Sequence, residues 1–578
     1  LEAADAWLKV AAIREANGGP TGHDEAVEAT GRAIVLETQA NPERSPVMRY
    51  ELLRGPLEGD IDLLEDALRK ESHFESMPVD RSRWVQRGAV PPRSSWRVYE
   101  SASGKEGSAA RLLGSILIHG KQTDREAEVT LQGFAPDVKE AKPLVESSIK
   151  TTLVEAMLHA SSTVGKIGRV EDGSTVCDFD DLEKEFGHSI DSAVVHFDHN
   201  GAHINMIDTP GSPGFFGKAV AALPAVETQV IMIDASAGID TAVRKLVAVG
   251  RARELPQVIL INKIDHGDDH ASLLANIQDT FGDVCRPVNL PADSGKGVID
   301  CFKNADGDSD FGDVAEYHTG IVDQVVEVDE ELMEAYLEQG EVSPEQLHGP
   351  FEAALRSGHL VPVMFMSARE GVGVSEFMDF TAELCPNPNE GNPRTFIIHE
   401  GDDQEEWHAT GDGDHPVAHV FKVSSDPYVG KLSVFRVHQG AISPDVHPRT
   451  NSSRKGLRLN HVFKLQGKDH VETKSVVAGD IGAVAKIDEL SFGDVMHDAS
   501  ISEQMRIKPL PMPKPMFGLA IDAANRNAEV KLGEALAKLL AEDPTLERDR
   551  VAATGDLVLR GLGDIHLRVK LRMLKDRY

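Results

Sequence analysis

Two short stretches carry residue types that could bind a nucleotide. HINMIDTPG, His203 to Gly211, is an apolar run that ends in Asp208-Thr209-Pro210-Gly211. VILINKID, Val258 to Asp265, is a second apolar run, ending in Asn262-Lys263-Ile264-Asp265. An Asp at a strand end can hold Mg2+, directly or through water, beside a phosphate chain. A Gly three residues later, Gly211, lets a backbone N–H approach a terminal phosphate, because no Cβ intervenes. In Asn-Lys-x-Asp, the Asp265 carboxylate can accept from two adjacent N–H donors. Guanine offers such a pair and adenine does not, so a carboxylate built for two donors rejects the base that lacks them. Lys263 can lay its methylene stem along the base.

These loops need a scaffold. QVIMIDAS, Gln229 to Ser236, lies between them and is a third apolar run. Apolar strands alternating with helical stretches predict a parallel sheet covered on both faces. Ligands of such sheets sit at the carboxyl ends of the strands, where both polar loops fall. Read alone, DTPG is a turn and NKID a loop. Their order, each after an apolar strand, is what gives the pair weight.

DFDDLEKEFGHSIDSAVVHF, HINMIDTPG and INKID together resemble the GTPase core of elongation factor G, most closely its elongation factor G-like branch. The resemblance runs from about Lys150 to Tyr578. It implies GTP and GDP as ligands, with Mg2+, the ribosome as partner, a monomer, and a cytoplasmic location. It also implies roles for particular residues. Lys150 and Thr151 meet phosphate and metal. Ser189, in the first switch region, and Asp208 face Mg2+. Ser367 and Ala368 support guanine beside Asn262, Lys263 and Asp265. Ser212 stands where the family usually places the histidine that orients the attacking water.

Composition is compatible with this reading. The 578 residues suffice for about three to five domains. A hydrophobic fraction of 41% allows a sizeable core. A formal net charge of -34 argues against a general nucleic-acid-coating surface, though not against a local basic face. Cys177, Cys285, Cys301 and Cys385 are far apart and have neither disulfide-framework nor zinc spacing. No apolar run of ~18 residues suggests a membrane span.

The predicted architecture is multidomain α/β. Residues 1–141 form a small α+β region of unassigned fold, with helices at AADAWLKVAAIREA and IDLLEDALRK and strands at SSWRVYESAS, SAARLLGSILIHG and AEVTLQGFAP. Residues 142–386 form a P-loop-NTPase-like parallel-sheet domain with a helical insert at about 300–358. KTTLVEAMLHASSTVG opens it as a helix, with Leu153, Ala156, Met157 and Ala160 on one face. GRVEDGSTVCDFDDLEKEFGHS is expected to be a long polar loop. Residues 396–505 form a β-barrel, and residues 509–578 a ferredoxin-like α+β domain. There the helix carrying Arg568, Lys570, Arg572 and Lys575 presents a solvated basic face. The family continues into two further domains beyond the position of Tyr578.

The phosphate loop departs from the pattern. A phosphate cradle reads GxxxxGK[ST] between a strand and a helix. Alignment on KTTLVEA puts Leu144 and Ile149 where the glycines belong, and Glu146 adds a negative charge. Two readings follow: a translational GTPase that hydrolyses GTP on the ribosome, or a binding module of the same fold with impaired hydrolysis.

Overall fold

The computed structural model describes residues 149–577, except 267–268, 340–341, 393, 401–402, 412, 414, 427–429, 451–454, 499, 501–503, 509–510, 524–525 and 552–554. Before residue 149 it describes the backbone of five strands and of the start of one helix. The chain divides into two compact units, Leu1–Lys142 and Pro143–Tyr578.

In the first unit β1 (Met48–Leu52), β2 (Phe74–Met77), β3 (Ser94–Tyr99), β4 (Leu112–Gly120) and β5 (Ala127–Gly133) form one antiparallel sheet in the order β1-β5-β4-β3-β2. The three strands expected from sequence are present, and β1 and β2 are additional. The two helices expected at AADAWLKVAAIREA and IDLLEDALRK lie outside the described residues.

The second unit opens with helix α1 (Val145–Ala160). Leu153, Ala156 and Met157 are buried as expected, but so are Thr151, Val154, Glu155 and Leu158, whereas Ala160 is exposed at the helix end. A helix enclosed nearly all round gives no single apolar stripe, which is why one face alone was a poor guide. GRVEDGSTVCDFDDLEKEFGHS is not all loop. It contains α2 (Asp181–Phe186), set by a capping box between Asp180 and Glu183 and closed by Gly187 at φ 68. The D-x-x-E spacing was the available signal.

The parallel sheet has four strands, β8 (Gln229–Asp234), β9 (Gln257–Asn262), β10 (Cys285–Pro287) and β13 (Val361–Met366), in the order β10-β13-β9-β8. The HINMID strand is not among them, which corrects the expectation. It forms β7 (Ala202–Asp208), paired antiparallel with β6 (Ala193–His199) in a separate hairpin. Asn200 at φ 48 and Gly201 at φ 82 make the two-residue left-handed turn that fixes this register. Among the described residues, no strand pairs with the second edge of β7 or of β8. α1 packs on both, so one core joins the two sheets.

The helical insert comprises Val314–Val326, Glu330–Gln339 and Pro344–Ser357. The β-rich region that follows includes a six-stranded antiparallel sheet and a three-stranded one pairing Thr395–Glu400 with Asp403–His408 and Gln504–Ile507. The last region is βαββα. Phe517–Ile521 pairs with Leu557–Gly561, which pairs with Glu547–Arg550, a strand the charged sequence ERDR concealed.

The basic helix face requires a second correction. Lys570, on the helix Asp564–Arg577, is 2% exposed and its Nζ lies 2.9 Å from Asp543 Oδ2. His566 Nε2 reaches the same oxygen at 3.1 Å. Close by, Asp191 lies 3.0 Å from Lys218 Nζ and 3.3 Å from Lys422 Nζ, while Lys218 also donates to the Glu542 carbonyl at 2.7 Å. The facing lysines hold the Asp191 and Asp543 carboxyls below the usual range despite burial. This cluster draws on the GTPase-like, β-rich and last regions together. Leu182, Ile190 and Phe215 pack with Leu536, Leu539 and Leu567 beside it. The loops that carry the candidate site are therefore braced by the domains that follow.

Candidate nucleotide site

The residues expected to read a base meet at the carboxyl ends of β9 and β13. Asn262 ends β9, is 3% exposed, and its Oδ1 accepts from the Ala368 N–H at 2.9 Å. Ala368 and Ser367 follow β13 and are themselves buried. Ser367 Oγ is buried with no hydrogen-bond partner. Lys263 takes φ 69, a left-handed conformation uncommon outside glycine. Such backbone costs roughly 1–3 kcal/mol and collects at binding sites. Its Nζ is ion-paired with Asp234 at the end of β8, whose carboxylate also accepts from the Ser236 N–H at 2.9 Å. Asp234 thereby fixes the stem that would lie along a base. Sequence reading missed it, although it ends QVIMID, an apolar strand followed by a carboxylate. Asp265 is exposed at the rim, with Oδ2 3.7 Å from His266 Nε2.

The second cluster gathers Lys150, Thr151, Ser189 and Asp208. Thr151 Oγ1 donates to Asp208 Oδ2 at 2.7 Å and lies 3.4 Å from Ser189 Oγ. Lys150 Nζ donates to the Thr209 carbonyl at 3.4 Å, which places it over the DTPG loop. Burial lowers the Lys150 pKa, opposed by Asp208 and Asp240. Burial, then Asp178, pushes the Asp208 carboxyl up to about 7, opposed by Thr151 and Lys150. Burial and the same neighbour push Glu183 up to about 8. Desolvated carboxyls with raised pKa values, crowded by hydroxyls, are suited to a divalent cation, whose charge reverses this balance. The three residues expected to face Mg2+, Thr151, Ser189 and Asp208, thus stand together. Asp178 was not foreseen there. It sits in the long polar stretch, one residue after Cys177, where only its charge marked it.

The phosphate side is different. α1 begins at Val145, so positions 145–149, aligned with the loop that should wrap phosphates, are helical. Ile149 is 5% exposed and belongs to the core cluster with Leu153 and Met157. Leu144 and the Glu146 side chain lie outside the described residues. Helical residues hydrogen-bond their own N–H groups along the axis, and only the first turn leaves them available to an anion. Lys150 stands in the second turn.

Ser212 is buried and precedes the short 3-10 turn Pro213–Phe215 without capping it. His566, whose ring meets Phe215 edge-on at 5.5 Å, does not replace the expected histidine. Its Nδ1 accepts from the Leu562 N–H at 3.1 Å and its Nε2 faces Asp543, so both nitrogens are engaged.

A parallel sheet with an Asn-Lys-x-Asp loop at one strand end and an Asp-Thr-Pro-Gly loop beside it is the arrangement of a GTPase fold of the translation-factor class. The family comparisons agree. Residues 150–387 match the elongation factor Tu GTP-binding domain, residues 416–499 elongation factor G domain 2, and residues 512–578 elongation factor G domain III. Over that span the chain belongs to the elongation factor G-like translational GTPases. The first match opens at Lys150, after the stretch where a phosphate loop would lie. Elongation factor G-like proteins of two Mycobacterium tuberculosis strains are each 32% identical over 462 residues, covering 74% of this chain and 64% of the relative. A crystal structure of a Thermus thermophilus protein aligns with TM-score 0.64 at 30% identity, over 74% of this chain and 64% of the other. The chain thus spans about two thirds, just under, of the relatives it matches. Among the described residues no helix is long and apolar enough to cross a membrane.

Proposed function

We propose that this protein is a guanine-nucleotide-binding module of the elongation factor G type, which grips the base well and the phosphates weakly and hydrolyses GTP slowly or not at all. One observation carries the reading. The base corner is assembled, with Asn262 Oδ1 bound to the Ala368 N–H at 2.9 Å, while the residues aligned with the phosphate loop run in a helix from Val145. Asn262, Lys263, Asp265, Ser367 and Ala368 would hold guanine. Lys150 would meet a phosphate, and Thr151, Ser189 and Asp208 would hold Mg2+, which neutralises phosphate charge when bound. Gly211 would let a terminal phosphate approach the backbone. Ser212 neither accepts nor donates a proton at neutral pH, so it can position water only by hydrogen bonding. The ribosome is the expected partner, approached through the β-rich and last regions, and the cytoplasm the expected location. Single-turnover GTP hydrolysis with and without ribosomes tests the proposal, alongside GTP and GDP affinities with and without Mg2+. Slow turnover in both conditions is expected. Ribosome-stimulated turnover at the rate of an ordinary translational GTPase would overturn it.

A further inference from the structure

We propose that the hairpin of β11 (Asn289–Ala292) and β12 (Gly297–Asp300) is a strut that sets the position of the Asn262–Asp265 loop, with Gly295 and Asp310 as positioning residues for a guanine base. The hairpin meets both stretches expected to read that base. At its foot Asn289, 1% exposed, accepts from the Phe365 N–H at 2.7 Å and donates to the Phe365 carbonyl at 3.1 Å. Phe365 lies on β13, two residues before Ser367. At its tip Gly295 is buried against the other loop. A Cβ placed on Gly295 would fall 2.2 Å from the Ile264 carbonyl oxygen and 3.2 Å from Asp265 Cα. His270 Nε2, from the helix His270–Phe281, donates to the same carbonyl at 3.1 Å. Hairpin and helix therefore both bear on Ile264, the residue before Asp265.

The tip has a conformation that needs a partner. Asp293, Ser294 and Gly295 take φ 53, 58 and 75, left-handed residues in succession. Glycine adopts this region freely, whereas the other two hold it only where their surroundings over-determine it. Asp310 does so. Its Oδ1 accepts from the Ser294 N–H and its Oδ2 from the Gly295 N–H, each at 2.8 Å, and its own N–H donates to the Pro291 carbonyl at 2.7 Å. Charge-assisted bonds to two successive N–H groups fix the direction of the tip as well as its shape. A binding group must be held to within about 0.5 Å of its productive position. Non-bonded heavy atoms settle ~3.5 Å apart, so a side chain at 295 would drive the tip and the Ile264–Asp265 backbone about 1 Å apart. The Asp265 carboxylate would then miss one of the two donors that guanine presents.

This role rests on the guanine-binding reading, and the measurements separate the two. Calorimetry on the full chain gives Kd for guanosine and for inosine, which lacks the 2-amino donor. The wild type should prefer guanosine by about tenfold, the worth of one hydrogen bond to a charged group. Gly295→Ala and Asp310→Ala should each weaken guanosine about tenfold and inosine less than about threefold, so the preference nearly disappears. Asp310→Asn keeps one acceptor oxygen and should lose less than Asp310→Ala. Hydrogen exchange on the same chains reads the strut with no ligand present. The His266 amide, bonded to the Lys263 carbonyl at 3.2 Å, and the Ala368 amide should exchange faster in both Ala variants, while the amides of β8 exchange as in the wild type. Equal weakening of both nucleosides, or an unchanged guanosine Kd in both Ala variants, would overturn the proposal. A wild type that binds neither nucleoside, or both alike, would sink the guanine reading alone. Unchanged exchange at His266 and Ala368 would then overturn the strut, and faster exchange there would sustain it.

Discussion

Replacing Ile149 by Gly separates two accounts of the segment before Lys150. If that segment were a strained phosphate loop, glycine would relieve roughly 1–3 kcal/mol of backbone strain and tighten GTP by about five- to 150-fold. In the structure Ile149 is instead a core residue on a helix, 5% exposed and packed in the cluster that includes Leu153, Met157 and Ile233. Truncating a buried Ile to Ala costs about 2–5 kcal/mol, and glycine inside a helix costs about 1 kcal/mol more than alanine. The expected loss is about 3–6 kcal/mol, a large share of the roughly 5–15 kcal/mol that keeps a domain folded. Ile149→Val should lose only about 0.5–1.5 kcal/mol. Urea unfolding of the three chains measures this, and GTP titration of the same samples measures the ligand. Ile149→Gly with less than about 1 kcal/mol of destabilisation and tenfold tighter GTP would refute the helical reading.

Three further outcomes are expected. Lys570→Met should destabilise the chain by about 3–5 kcal/mol because it removes the ammonium facing buried Asp543, which keeps only Thr545 and His566 as direct partners, and adding Asp543→Asn should recover much of that; a denaturation shift of surface size, under about 0.5 kcal/mol, would show Lys570 to be solvated. His419 is buried beside Arg394 and Arg436, and burial first, then those charges, pushes its pKa down to about 3. The unfolded chain therefore binds the extra proton between pH 6.5 and 3, so this contribution is complete above about 6.5 and drains as pH falls, by about 2 kcal/mol at pH 5. Urea midpoints at pH 7 and 5 should show that loss, with a shallower slope in His419→Asn; equal slopes would assign the effect elsewhere. Asp265→Asn should shift preference from guanine toward xanthine, because an amide donor then faces an acceptor on the base, and competition assays with GTP, XTP and ATP will show whether it does.

The residues proposed to read a base were legible as a group because their signals are local. Asn262, Lys263 and Asp265 are contiguous and follow an apolar strand, and Ser367-Ala368 follows another. What supports them comes from distant parts of the chain. Asp234 reaches Lys263 from a neighbouring strand, and no spacing in sequence announces that pair. Lys570 looked like one of four basic residues on a helix, and only the approach of Asp543 explains its burial. The strand HINMID was apolar enough for a parallel sheet, yet Asn200-Gly201 turned it into a hairpin. That dipeptide was readable, as was the capping box from Asp180 to Glu183. Asp178 was not, because an unpartnered carboxylate is a property of its surroundings.

The central claim, an intact base corner with a weak phosphate grip, is tested most directly by comparing guanosine, GDP and GTP on the same protein by calorimetry in Mg2+. Each added phosphate should contribute little, so the three Kd values should fall within about tenfold of one another, or ~1.4 kcal/mol. GTP binding a thousandfold or more tighter than guanosine, about 4 kcal/mol, would mean that the chain possesses a working phosphate cradle and would contradict the account.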